Sequence, residues 1–138
     1  MAEQISALLV HGQDEACQAL AGILKSLSVE VIQARNYREA SLFFTGQSPI
    51  DVVFTGIDLP DGSWADVLGR AQQSKSYLPV IAVSRTVDIE LYLEALGEGA
   101  FDFITPPFLA SDLARIVRSA IYKELLSAKQ DLNAPPQA

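Results

Sequence analysis

Positive charge is scarce in this chain and never clusters. Lysine and arginine number 10 against 17 aspartates and glutamates, a formal net charge of -7. The basic footprint that gathers nucleic-acid phosphates or an anionic membrane is therefore missing, and direct contact with either is not expected. Cysteine is nearly absent as well. Cys17 stands alone, so no intrachain disulfide can form, which fits a reducing, cytoplasmic setting. The opening residues Met1-Ala2-Glu3-Gln4 carry no cationic stretch followed by a long apolar segment. The longest apolar runs have the length of a strand and are too short to cross a bilayer. Ser84 and His11 are both present, but no Gly-x-Ser-x-Gly elbow accompanies them, which argues against a hydrolase.

What is present is enough apolar material for one core. Over 138 residues, 49% are hydrophobic and 8% aromatic, the make-up of a single domain that folds alone. Short runs of Val, Ile and Leu alternate with segments of helical spacing. Strands are expected at 5–10, 29–33, 51–55, 79–84 and 100–105. Helices are expected after Asp14, which is placed to act as an N-cap, at 37–44 closed by Gly46, at 63–73, at 87–96 ended by Gly97 and Gly99, and from about Ser111-Asp112 onward. Five strand–helix units with strands apolar on both faces predict an α/β, doubly wound, parallel five-stranded sheet. Apolar residues continue through Leu113, Ile116, Val117, Ala120, Ile121, Leu125 and Leu126, so the domain is read as 1–131, with 132–138 a disordered tail or linker.

In such a sheet the working crevice lies beyond the carboxyl ends of the strands. That directs attention to His11-Gly12-Gln13, to Gly56 through Asp61, to Ser84-Arg85-Thr86 and to Thr105-Pro106-Pro107. The Leu59-Pro60-Asp61-Gly62 turn, the Ser84 end of the fourth strand, Gly99-Ala100-Phe101-Asp102-Phe103 and Pro107-Phe108 occur in an order and spacing that resembles the receiver domains of two-component response regulators, over roughly residues 5–126. The resemblance implies the flavodoxin-like strand order 2-1-3-4-5 and a place in phosphorelay signalling. In that family an acidic pair after the first strand binds Mg²⁺, and an aspartate ending the third strand accepts a phosphoryl group from a histidine kinase. A Ser or Thr on the fourth strand and a Lys before the proline after the fifth then stabilise the phosphorylated form. Phosphoryl transfer rests on positioning and charge neutralisation, which is why it needs an exposed carboxylate, a hard-oxygen metal site and a cation.

Matched by position, most of that set is replaced. The acidic pair falls on His11 and Gly12, the phosphoacceptor on Gly56 and the lysine on Pro106. Ser84 and Phe103, the latter at the usual aromatic switch position, remain. With three carboxylates and an ammonium gone, the pocket is expected to be nearly neutral and Mg²⁺ binding to be lost, leaving no cofactor and no catalysis. His11 reads as a half-exposed polar residue closing a strand end rather than as a metal ligand, and Ser84 as a residue that hydrogen-bonds locally. Asp58 is the alternative phosphoacceptor, although the Leu59-Pro60 turn would carry it off the sheet. Asp61 belongs to that turn. Phe103 is expected to lie against the fourth helix and Trp64 to be half-buried near the pocket. Cys17 is placed in the core. The resemblance also implies a cis bond at Pro106-Pro107.

The reading is a receiver-like module that has kept the fold and works by protein–protein interaction, with self-association or a second signalling protein as partner. The expected face is that of the fourth helix, fifth strand and fifth helix, with Glu90, Tyr92, Glu94, Asp102, Arg115 and Arg118 as contributors. A small-ligand or anion sensor in the vacated pocket is the other alternative.

Overall fold

Apolar side chains alternate along each strand between two cores, and that alternation sets the architecture. Leu8, Val10, Val53, Val80 and Ala82 enter one cluster, while Ala7, Leu9, Val52, Phe54, Ile81 and Val83 enter the other. The computed structural model describes residues 4–44, 49–74 and 78–133, with the backbone alone for 123–133. Its elements run β1 (Ser6–Val10), α1 (Glu15–Ser26), β2 (Glu30–Ala34), α2 (Tyr37–Leu42), β3 (Val52–Gly56), β4 (Asp58–Leu59), β5 (Gly62–Ser63), α3 (Trp64–Gln72), β6 (Val80–Val83), α4 (Ile89–Glu98), β7 (Asp102–Ile104) and α5 (Ala110–Asn133). The main sheet has the order β2-β1-β3-β6-β7 with every pair parallel, the doubly wound arrangement expected.

Helices α1 and α5 cover one face through Cys17, Leu20, Leu24, Leu113 and Val117. The other face is covered by α2, α3 and α4 through Ala40, Trp64, Val67, Leu68 and Ala95. Phe54, Leu8, Leu9 and Leu20 are fully enclosed, each contributing roughly 1.5–3 kcal/mol by leaving water.

The helix starts are set by side chains that accept orphan backbone N–H groups. Asp14 Oδ1 accepts from Ala16 at 2.8 Å and Cys17 at 3.2 Å. Asn36 accepts from Glu39 at 2.8 Å and Asp88 from Leu91 at 3.0 Å. At the start of α3, Asp66 reaches back to the Ser63 N–H at 3.0 Å. Helix α4 ends where Gly99 takes φ 112°, a left-handed conformation that glycine adopts without steric cost.

Several boundaries differ from the sequence reading. β2 and β3 each lie one residue later than expected; before β3 the Asp51 carboxylate accepts from the Ser6 N–H at 2.8 Å, and the strand begins at Val52. Helix α4 begins at Ile89 rather than Val87, and Gly97 lies inside it, so only Gly99 terminates it. The last helix opens at Ala110 and continues to Asn133, past the expected boundary at 131. The β4–β5 hairpin is additional: Asp58 pairs with Ser63 and Leu59 with Gly62, because Leu59 is drawn into the core and folds the turn back on itself. Trp64 is 5% exposed, a core residue rather than a half-buried one, as the start of α3 points its indole at the sheet. Gly46 and the tail from 134 onward lie outside the described residues.

Candidate functional site

The carboxyl ends of β1, β3 and β6 open onto one crevice, and the register decides what meets there. Val10 stands beside Thr55, and Gly56 beside Val83. The crevice, about 260 Å³, is lined by Asp14, Ile57, Asp58, Val83, Ser84, Arg85, Thr86, Asp88 and Leu91. Its lining carries an excess of carboxylates. Three carboxylates, Asp14, Asp58 and Asp88, face one cation, Arg85, whose Nε lies 3.9 Å from Asp14 Oδ2. These carboxylates come from loop and cap positions outside the matched set, which is why counting the replaced residues missed them. Such a lining disfavours an anionic ligand.

His11 is 4% exposed, not half-exposed. Its ring is enclosed because both nitrogens are engaged. The Asp14 N–H donates to Nδ1 at 3.2 Å, which places the ring proton on Nε2, and that nitrogen lies 2.9 Å from Gln33 Oε1. The imidazole is thereby tied into the start of α1, with no nitrogen left to ligate a metal. Gly12 faces the turn after β3: a Cβ there would lie 3.1 Å from Cγ and 3.3 Å from Cδ of Pro60. Among the described residues no group of three or more His, Cys, Asp or Glu is arranged to hold a metal ion.

Gly56 is buried at the end of β3. A Cβ there would make ordinary contacts, 3.6 Å from the Val10 carbonyl and 3.7 Å from both Cys17 Sγ and His11 Cβ. The neighbouring Thr55 hydroxyl donates to the Gly56 carbonyl at 2.9 Å. Asp58, two residues on, is exposed on the β4–β5 hairpin, off the main sheet. Asp61 at the hairpin tip does more than turn the chain. Its carboxylate accepts from the backbone N–H groups of Tyr37 at 2.7 Å and Arg38 at 3.0 Å, capping α2.

Ser84 is buried and bonds locally, its hydroxyl donating to the Thr86 carbonyl at 2.7 Å. Phe103 is buried and meets Tyr92 of α4 edge-on, ring centroids 5.8 Å apart at 85°. Pro106 is joined to Pro107 by a cis bond.

The expected interaction face is assembled by α4, β7 and α5. Glu90 and Glu94 are exposed on α4, and Tyr92 is 39% exposed. Asp102 is half-buried, its carboxylate accepting from the Phe103 N–H. Arg115 pairs with Asp112 at 3.1 Å, and Arg118 is exposed. What the sequence reading missed is the apolar part: Val87, Ile89 and Leu93 are 79%, 69% and 61% exposed. The signal was available, since Ile89, Leu91, Tyr92, Leu93, Ala95 and Leu96 spread over more than half of the circumference of α4, more apolar surface than one buried face can use.

Similarity to known proteins covers the same segment. The family model "Response regulator receiver domain" matches residues 7–118. Response regulator protein PilR of Pseudomonas aeruginosa is 30% identical over 115 residues, covering 83% of this chain and 26% of that protein. Response regulator protein TmoT of Ectopseudomonas mendocina is 28% identical over 138 residues, covering 98% of this chain and 60% of that protein. The chain thus spans less than two thirds of either relative. Among solved structures, a response regulator receiver domain protein from Clostridium thermocellum superposes with a TM-score of 0.77 at 26% identity, over 88% of this chain and 98% of that one.

Proposed function

Because the chain belongs to the response regulator receiver domain family, and so is a two-component signalling module, we propose that it signals without accepting a phosphoryl group, by docking a protein partner on the α4–β7–α5 face. The observation that carries this reading is Gly56, a residue with no side chain at the position where the acceptor carboxylate would stand. Two neighbours support it: Pro60 packs against Gly12 where a metal-binding carboxylate would stand, and Pro106 offers no cation. The face has exposed apolar and charged groups side by side, with Tyr92, Glu90 and Glu94 all exposed on α4. A second copy and a different signalling protein are both admitted as partner.

Incubation with acetyl phosphate and Mg²⁺ followed by intact-mass measurement tests the first half. No mass gain is expected; gain of one phosphoryl group, abolished by Asp58→Asn, would establish Asp58 as a live acceptor instead. Reversing the charge of Arg115 and Arg118 tests the second half, and should weaken whatever association the protein shows.

A further inference from the structure

Between Arg85 and Arg115 the chain contains no lysine, arginine or histidine, while Asp88, Glu90, Glu94, Glu98, Asp102 and Asp112 all fall in that stretch. These residues build α4, β7 and the start of α5. Six carboxylates therefore fall in a stretch with no cation of its own, and the same stretch carries much of the exposed apolar surface. Of the large hydrophobic residues exposed among the described ones, Val87, Ile89, Tyr92 and Leu93 lie on α4 or its lead-in.

The two features are ordered with respect to each other. Residues four apart stack on one side of a helix. Ile89 and Leu93 therefore form a short apolar ridge, and Glu90 and Glu94 an acidic row one residue further round. On the ridge's other flank, Tyr92 and Phe103 meet at 5.8 Å, and a groove of about 190 Å³ is lined by Val87, Asp88, Ile89, Tyr92, Phe103 and Thr105. Ala95 is the only fully buried residue of α4, so the ridge is surplus to the core. Contiguous exposed aliphatics of this kind mark an interaction site.

Resting on the reading that this face docks a protein, we propose that its partner is a cationic amphipathic helix, with an aliphatic stripe for the Ile89–Leu93 ridge and lysine or arginine on the flank that meets Glu90 and Glu94. Charge complementarity selects this occupant over a second copy of the chain. In a symmetric pair the acidic α4 rows would approach each other. Of the two α5 arginines that could relieve them, Arg115 is already engaged by Asp112 at 3.1 Å and Arg118 lines a different cleft with Ile5, Leu27 and Val29. Unlike-charge pairing steers encounter and like-charge juxtaposition opposes it.

The test uses the full chain and two synthetic helical peptides, identical along a leucine stripe but flanked by lysine in one and glutamate in the other. Fluorescence anisotropy should show the lysine peptide binding at least about tenfold more tightly, with the preference shrinking as salt rises. Ile89→Ser with Leu93→Ser should weaken it by about tenfold or more, Glu90→Lys with Glu94→Lys should reverse the order of the two peptides, and Leu42→Ser on α2 should change nothing. Equal binding of both peptides, or binding indifferent to the α4 substitutions, would overturn the proposal. So would sedimentation showing a dimer broken by Leu93→Glu, which would leave the docking face intact and make its occupant a second copy. Phosphorylation by acetyl phosphate that strengthens the lysine-peptide complex would overturn only the phosphoryl-independent reading and leave the partner's chemistry standing.

Discussion

Pro60 rests on Gly12, its Cγ only 3.1 Å from where a Cβ on that glycine would lie. The turn after β3 has thus settled onto the end of β1, into the space a carboxylate at position 12 would need.

Gly12→Ala is expected to destabilise the protein by about 1 kcal/mol, the cost of pushing a proline ring out of a close-packed contact. The double variant Gly12→Ala with Pro60→Ala should recover most of the loss. Chemical denaturation of the parent, the double variant and each single variant, Gly12→Ala and Pro60→Ala, checks this, and a Gly12→Ala variant as stable as the parent would show that the turn yields freely.

Gly56→Asp should fold and still not accept phosphate. Its Cβ meets only ordinary contacts of 3.6–3.7 Å. The carboxylate, however, would stand beside buried Cys17 and His11 with no metal site and no lysine, so a loss of roughly 1–3 kcal/mol is expected. Intact mass after acetyl phosphate treatment with Mg²⁺ reads the chemistry; robust phosphorylation of this single variant would mean that the crevice supplies the missing charges after all.

Asp61→Ala should remove two hydrogen bonds from the start of α2, those to Tyr37 and Arg38. The expected cost is about 1–2 kcal/mol, the range of N-cap losses. Asp61→Asn, which keeps one acceptor oxygen, should cost less. Thermal melts of both variants order them.

Burial, with a smaller push from the charge on Asp14, drives the Cys17 thiol up to about 12 from an ordinary 9.0. The folded state holds that proton where the unfolded chain releases it. The contribution to stability is therefore complete below pH 9 and is lost as pH rises toward 12. The slope should be flatter in Cys17→Ala, and an Ellman-type reagent at neutral pH should label the native thiol only after denaturation.

Ser28 follows α1 with φ 65°, a left-handed conformation carried by a residue with a Cβ. Ser28→Gly is expected to stabilise by on the order of 0.5 kcal/mol, the relief of that strain exceeding the added freedom of the unfolded chain. An unchanged or lower denaturation midpoint would count against it.

The sheet was legible in the sequence because its strands are short, continuously apolar and separated by cappable helix starts; Asp14 and Gly99 do what such residues do locally. The crevice was legible only in part. Gly56 and Pro106 declare themselves by what they lack, but His11 was misjudged because its enclosure depends on Gln33, 22 residues away. Asp61 was assigned to its turn because the partners it caps lie 24 and 23 residues earlier. The charge of the crevice escaped for the same reason: Asp14 and Asp88 cap two helices and Asp58 lies on the β4–β5 hairpin, positions that only the folded chain brings together.

Helix α4 is secured at its ends rather than along its length. Asp88 caps its start, and Gln72 of α3 donates to the Glu98 carbonyl at 2.9 Å at its finish. Between these two fastenings Ala95 is buried and Leu91 packs against the same core, while 89, 90, 93 and 94 are exposed. Substitutions at 89, 90, 93 and 94 therefore carry little thermodynamic penalty, and the residues that choose a partner can drift without endangering the scaffold that presents them.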